Sequence, residues 1–305
     1  MINPSWESQF ARWASAPSHT EQSRCENTVT AIRKAIQASA RLNTRSTKIF
    51  VQGSYRNRVN VRNDSDVDVG VICNDVFLSR YPPGKRDADF GNVSGGYSYG
   101  EFKNDLESSL VDHFGRAAVQ RGNKAFQVDE NTYRVNADVV PLFEFRQYWE
   151  DGSYRAGVAL CPDRGGRIEN YPERLFEYWP STPLHYENGV AKNTLTGRSF
   201  KGVVRILKCL LNQMKDEGID SARNVPGYLC ECLAYNCPYE SFVAGGWCNR
   251  VERVVNDAWM KTSTDENCRE WLEVDGIKYL FHQSQGWSRA QAFVFLCDLR
   301  RKLGI

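Results

Sequence analysis

Apolar residues recur at helical spacing in "HTEQSRCENTVTAIRKAIQASARLN", where Val29, Ile32, Ile36 and Ala40 share a stripe. The spacing predicts one long helix that begins at Thr20 and Glu21 and ends near Asn43. The period then changes to two, and residues 48–51 and 67–73 read as strands on either side of a turn at Gly53-Ser54. The Pro- and Gly-rich stretch "SRYPPGKRDADFGNVSGGYSYG" predicts a mobile loop. Helical spacing returns at Phe102, Leu106, Leu110 and Phe114, and "AFQVDENTYRVNADVVPLFEFRQY" gives further strands, the last with Asp138 among Val135, Val139 and Val140. Residues 155–195 show no clear period, and beyond them helices are predicted over 200–215, 226–235, 251–260 and 289–299. The order implies an α+β half at residues 1–160 and a helical half at 161–305, with a ligand cleft expected between them.

One strand breaks the apolar pattern. Asp66 and Asp68 alternate with Val67 and Val69, and a carboxylate in a buried strand is costly unless something compensates it. Residues two apart on a strand point to one face, so the pair can share a divalent cation, and Asp138 on a neighbouring strand would complete a cluster of three. Oxygen ligands suit Mg²⁺, and three carboxylates on a sheet point to two-metal phosphoryl or nucleotidyl transfer. Gly53 allows close backbone approach, and the turn amides with the Ser54 hydroxyl can hold terminal phosphates. A lone D-x-D is more often an edge-strand charge that resists aggregation. The combination with Gly-Ser before it and a lone Asp after it favours the metal reading.

The helix "GRSFKGVVRILKCLLNQM" places Arg198, Lys201, Arg205 and Lys208 on one face and Val203, Leu207, Leu210 and Met214 opposite. That cationic stripe is either a solvated face or the clamp for a phosphate tail.

Composition narrows the class. At 305 residues and 34.8 kDa, with 41% hydrophobic and 25% charged residues, the chain can bury one large core or two modest ones. A net charge of +2 is too small for a protein that grips long nucleic acid by its phosphates. Ten cysteines without a C-x-x-C pair read as free thiols in a reducing cytoplasm, and Cys230, Cys232 and Cys237 read as helix core. No apolar run reaches about 18 residues and the N-terminus has no leader-like apolar stretch, so no membrane association is expected.

The segments "QGSYRNRVNVRNDSDVDV", "NADVVP", "LHYENGVAKN", "FKGVVRILK" and "VPGYLCECLAYNCP" resemble, in order, motifs of the bacterial CD-NTase (cGAS/DncV-like nucleotidyltransferase) family, its E clade above all. The resemblance runs from about residue 20 to near the C-terminus. It implies a polymerase-β-like nucleotidyltransferase core sheet with a C-terminal oligoadenylate-synthase-type helical domain, and an active site in the cleft between them. It also implies a cytoplasmic, monomeric synthase of cyclic di- or trinucleotides from nucleoside triphosphates (ATP, UTP or GTP). The product would activate an effector protein in antiphage (CBASS) defence. Carried over by position, Asp66, Asp68 and Asp138 are the catalytic metal ligands for two Mg²⁺ ions, with Mn²⁺ as a substitute. Gln52, Gly53 and Ser54 would hold the donor nucleotide, and Lys201, Arg205 and Lys208 its phosphate tail. The residue that reads the base is Asn170 or Ser181, depending on where an apparent insertion is placed, and Gly227 stands where relatives often have a phosphate-contacting Ser. Two other readings stay open: a nucleotidyltransferase acting on an external RNA or small-molecule acceptor, and a non-catalytic nucleotide sensor.

Overall fold

Alternating Val and polar positions fold as the period predicts. In the computed structural model, which describes residues 1–61, 66–170, 184–243, 245–283 and 285–305, the elements run in order α1 (Glu7–Ala14), α2 (His19–Ala38), β1 (Thr47–Gln52), α3 (Gly53–Arg56), β2 (Val67–Arg80), α4 (Tyr99–Phe114), β3 (Val119–Arg121), β4 (Phe126–Val128), β5 (Ala137–Tyr148), β6 (Tyr154–Leu160) and β7 (Ile168–Asn170), followed by α5 (Leu184–Leu195), α6 (Phe200–Asp216), α7 (Asp220–Arg223), α8 (Gly227–Asn236), α9 (Trp247–Thr262) and α10 (Arg289–Leu303). No described helix is long and apolar enough to cross a membrane.

The chain forms two units. The first is a seven-stranded sheet in the order β1-β2-β5-β4-β3, with β6 beside β5 and β7 beside β6. Its central pair, β2 and β5, is parallel, and every other pairing is antiparallel. Val67, Val69, Val71, Ala137 and Val139 are fully buried on one face. They pack with Ile32, Ile36, Phe102, Leu106 and Leu110, the apolar stripes of α2 and α4. Both helices start at a serine that takes the amide three residues on: Ser18 caps α2, and Ser98 forms a reciprocal capping box with Glu101 on α4. The stretch after β2, expected to be mobile, carries aromatic packing: Tyr81 stacks on Phe90 at 5.0 Å and packs on Tyr148 of β5 at 5.1 Å.

The second unit is helical, with α6 at its centre; Phe200, Val203, Val204, Ile206, Leu210 and Met214 are all fully buried. It differs from the sequence-based division at 160/161 in two ways. The sheet extends to Asn170, and the helical unit takes in residues 1–17 and 57–61 as well as the C-terminal helices. The cause is packing that local period cannot reveal. Phe10 and Ala14 on α1 are buried in the helical core, and Gly202 gives room for the Trp247 ring, since a Cβ there would lie 2.4 Å from it.

Glu7 fixes this arrangement. Its carboxylate accepts from the amides of Trp247 (2.7 Å) and Cys248 (2.8 Å), the first two of α9, which no turn of that helix can satisfy. Burial opposes ionisation, yet these amides hold the Glu7 carboxyl below its usual range. Glu7→Ala is expected to destabilise the chain by about 1–2 kcal/mol at pH 7, as loss of a helix cap does. Because the folded-state value is depressed, the contribution is complete above the ordinary value of 4.5 and is lost as pH falls through the lower folded value. Urea midpoints of wild type and variant at pH 7 and in acid check both statements.

Candidate nucleotide and metal site

Strand register decides where the carboxylates meet. Asp68 pairs with Asp138 across the parallel β2–β5 ladder. Gln52 of β1 lies opposite Asp68, and Gln127 of β4 lies opposite Asp138. The four form one polar row across four strands, on the sheet face opposite to the buried valines, with neighbours about 4.8 Å apart at the usual strand spacing. The puzzle of acids inside an apolar strand is thereby resolved: Val67 and Val69 are buried while Asp68 and Asp138 are only half-buried. Burial alone pushes the Asp138 carboxyl up.

Gly53 opens α3 with φ +71°, a conformation that L side chains rarely adopt. A Cβ built on it would lie 1.8 Å from Asp68 Oδ2. The Asp68 carboxylate thus rests against the bare backbone at the end of β1, and the expected turn at Gly53-Ser54 is the first half of a one-turn helix. Oxygen ligands side by side on a sheet, over a cradle that only glycine leaves open, fit a hard divalent cation such as Mg²⁺. Asp66 is exposed just before β2, on the same side of the strand as Asp68 by the two-residue alternation. Among the described residues no group of three or more carboxylate, imidazole or thiolate side chains is gathered closely enough to hold a metal. What the fold brings together is the pair Asp68 and Asp138.

The helical unit holds the predicted cations. Lys201, Arg205 and Lys208 on α6 are each 8% exposed, which overturns the reading of this stripe as a solvated face. Arg198 does not belong to the stripe; it lies before the helix, exposed, with φ +67°. Arg205 is turned to backbone, donating from Nε to Ala14 O at 2.8 Å and from Nη1 to Arg58 O at 2.9 Å. Lys208 Nζ lies 3.3 Å from Val59 O and 3.7 Å from Glu231 Oε2. Its stem crosses Gly227, where a Cβ would meet three of its carbons at 3.6–3.7 Å, an ordinary contact that leaves room for a serine. The Lys201 ammonium lies 5.2 Å from the centre of the Tyr186 ring.

Three residues here were not singled out from the sequence as part of a site. Glu231 is 2% exposed and receives His185 Nε2 at 2.9 Å on Oε1. His185 Nδ1 lies 3.2 Å from the Asn57 side-chain amide, so the ring is held between Asn57 and Glu231. The available signal was an acid in the otherwise apolar run "LCECLA". The cysteines around it are buried in the helical core, as expected. Asn170 ends β7, half-buried and paired with Val158. Ser181 lies outside the described residues.

Comparison with known proteins places these features in a family. Residues 187–304 match the cGAS/DncV-like nucleotidyltransferase C-terminal helical domain. The chain is 39% identical over 295 residues to the cyclic dipyrimidine nucleotide synthase CdnE of Legionella pneumophila, covering 95% of each. Among solved structures it resembles the Elizabethkingia meningoseptica CdnE cyclic dinucleotide synthase bound to GTP and Apcpp (TM-score 0.76, 30% identity, 98% of this chain and 99% of that one). It also resembles the Rhodothermus marinus CdnE c-UMP-AMP synthase bound to Apcpp and Upnpp (TM-score 0.74, 30% identity, 98% and 97%).

Proposed function

This chain belongs to the cGAS/DncV-like nucleotidyltransferases and is itself a nucleotidyltransferase, and from that premise we propose that it joins two nucleoside triphosphates into a cyclic dinucleotide. The observation that carries the proposal is the register pairing of Asp68 with Asp138 over the Gly53 cradle. In each of two successive transfers, a ribose hydroxyl oxygen attacks the α-phosphorus of a triphosphate. The bond from that phosphorus to the bridging oxygen breaks, and pyrophosphate leaves. The first transfer gives a linear 5'-triphosphate dinucleotide, and the second closes it. Asp138 receives the hydroxyl proton as the new bond forms. Gln52, Gly53 and Ser54 position the donor triphosphate, and Lys208 and Lys201 neutralise its tail. Two Mg²⁺ ions, held by Asp66, Asp68 and Asp138 and replaceable by Mn²⁺, supply charge stabilisation of the phosphoryl oxygens when bound. The product serves as a second messenger for an effector protein in antiphage defence.

A uracil-containing product is the base choice we favour. The Legionella relative is named for dipyrimidine synthesis and the Rhodothermus structure for c-UMP-AMP. Asn170 carries an amide that both donates and accepts, as the mixed edge of uracil requires.

Incubation with all four triphosphates and Mg²⁺, without added acceptor, is expected to give a phosphatase-resistant uracil-containing cyclic dinucleotide by mass spectrometry, with one pyrophosphate per transfer. Product only on addition of RNA or a small-molecule acceptor would establish the external-acceptor reading, and no product under either condition the sensor reading. In the same assay Asn170→Ser should lower the uracil content of the product; an unchanged product would remove Asn170 as the reader.

A further inference from the structure

Lys201 and Lys208 of α6 lie beside one buried acid. Glu231 accepts from His185 of α5 on one oxygen, and its other oxygen faces Lys208. Lys201, Arg205 and Lys208 occupy successive turns of α6, and Arg58 lies near Lys201 from the 57–61 segment. Of these, Lys208 faces the carboxylate directly and Lys201 feels its charge, whereas Arg205 donates to backbone carbonyls. Burying a carboxylate is costly, and an apolar side chain at this helix position would suffice for packing, as Cys230, Cys232 and Leu233 show. The lysine stems pass over small residues: Gly189 of α5 lies beneath Lys201 and Gly227 of α8 beneath Lys208. These ammonium groups are thus led past glycines to a place where a fixed negative charge awaits them.

We propose that Glu231, oriented by His185, is a positioning residue that aims Lys208, and with it Lys201 earlier on α6, at the phosphate tail of a nucleoside triphosphate. The inference rests on the reading of Lys201 and Lys208 given above. Lys201 is the sensitive partner. Burial pulls its ammonium down from the usual range, Glu231 pulls it back up, and Arg58 and Arg205 push it further down. Glu231 itself is held ionised against its burial by the hydrogen bond from His185 and by Lys208 and Lys201. Without the carboxylate, Lys201 loses its only opposing charge among these groups and surrenders its proton at lower pH.

The test is equilibrium binding of the α,β-methylene analogues of ATP and UTP, with Mg²⁺, between pH 7 and 9.5. Binding to Glu231→Gln, which keeps the side-chain shape, should be about fivefold weaker than wild type at pH 7 and roughly 30-fold or more weaker at pH 9.5. Glu231→Asp should restore the wild-type pH profile. Lys201→Met alone should remove the alkaline fall of wild-type binding, which decides the matter even if Glu231→Gln does not fold. Parallel pH profiles for Glu231→Gln and wild type, or an alkaline fall that persists in Lys201→Met, would overturn the inference while leaving the proposed activity standing. A wild-type protein that binds neither analogue would overturn both.

Discussion

Asp138→Asn is expected to lower pyrophosphate release by at least roughly 10³-fold, about 4 kcal/mol of transition-state stabilisation, while making the protein no less stable. The two halves of this expectation have one cause. Asp138 is a half-buried carboxylate whose register partner on β2 is a second carboxylate, Asp68, and burial raises its pKa above the usual value. A carboxyl whose folded-state pKa is raised opposes folding wherever it must be ionised, so at neutral pH its removal relieves the native state. Asparagine keeps the shape but gives up an anionic oxygen and the capacity to take a proton. Urea midpoints at pH 7 should therefore stay level or rise as activity disappears. A parallel loss of activity and stability would mean that the carboxylate serves the sheet, and retained activity would remove Asp138 from the site.

Gly53→Ala should be nearly as damaging without touching a charged group. The added methyl would lie 1.8 Å from Asp68 Oδ2 and 2.8 Å from its carboxyl carbon, and it would also force a side chain into φ +71°. The backbone penalty is about 1–2 kcal/mol. The collision has to be relieved by turning the Asp68 carboxylate off the polar row. Misplacing a catalytic group by about an ångström costs on the order of 10²-fold, so kcat/KM should fall by about that factor or more. Pyrophosphate release at saturating and limiting triphosphate, alongside thermal unfolding, separates this effect from loss of folded protein. Gly84→Ala makes a useful control, since its φ is also positive but nothing lies within 4 Å of the added carbon.

The two aspartates were legible in the sequence because strand alternation is local: Asp66 and Asp68 declare their side by their spacing to Val67 and Val69, and only the neighbouring of β2 and β5 had to be supplied. The Glu231 cluster could not be read in the same way. His185 and Glu231 are 46 residues apart, and Asn57 and His185 are 128 apart. Helical spacing identified the cationic side of α6 but carries no information about what covers it. The same spacing gave both a solvated face and a clamp, whereas Arg205 instead spends its donors on the carbonyls of Ala14 and Arg58. The three-residue strands β3 and β4 are too short for a period to emerge. α1, with eight residues, takes its place through Phe10 and Ala14 in the helical core and through Glu7 and the α9 amides it caps, all of them partners distant in sequence.

That cap has a consequence for how the protein is made. Glu7 and its partners are separated by 240 and 241 residues, and Phe10 waits for the same helical core. During synthesis the described strands of the sheet unit are all made once Asn170 has left the ribosome, whereas the first helix must wait for α6, and its cap on α9 for residues 247 and 248. Long-range closure of this kind is slow and leaves apolar surface exposed in the interim. A nascent chain arrested before residue 247 would carry every described strand and a first helix that can reach α6, with the Glu7 cap still unmade.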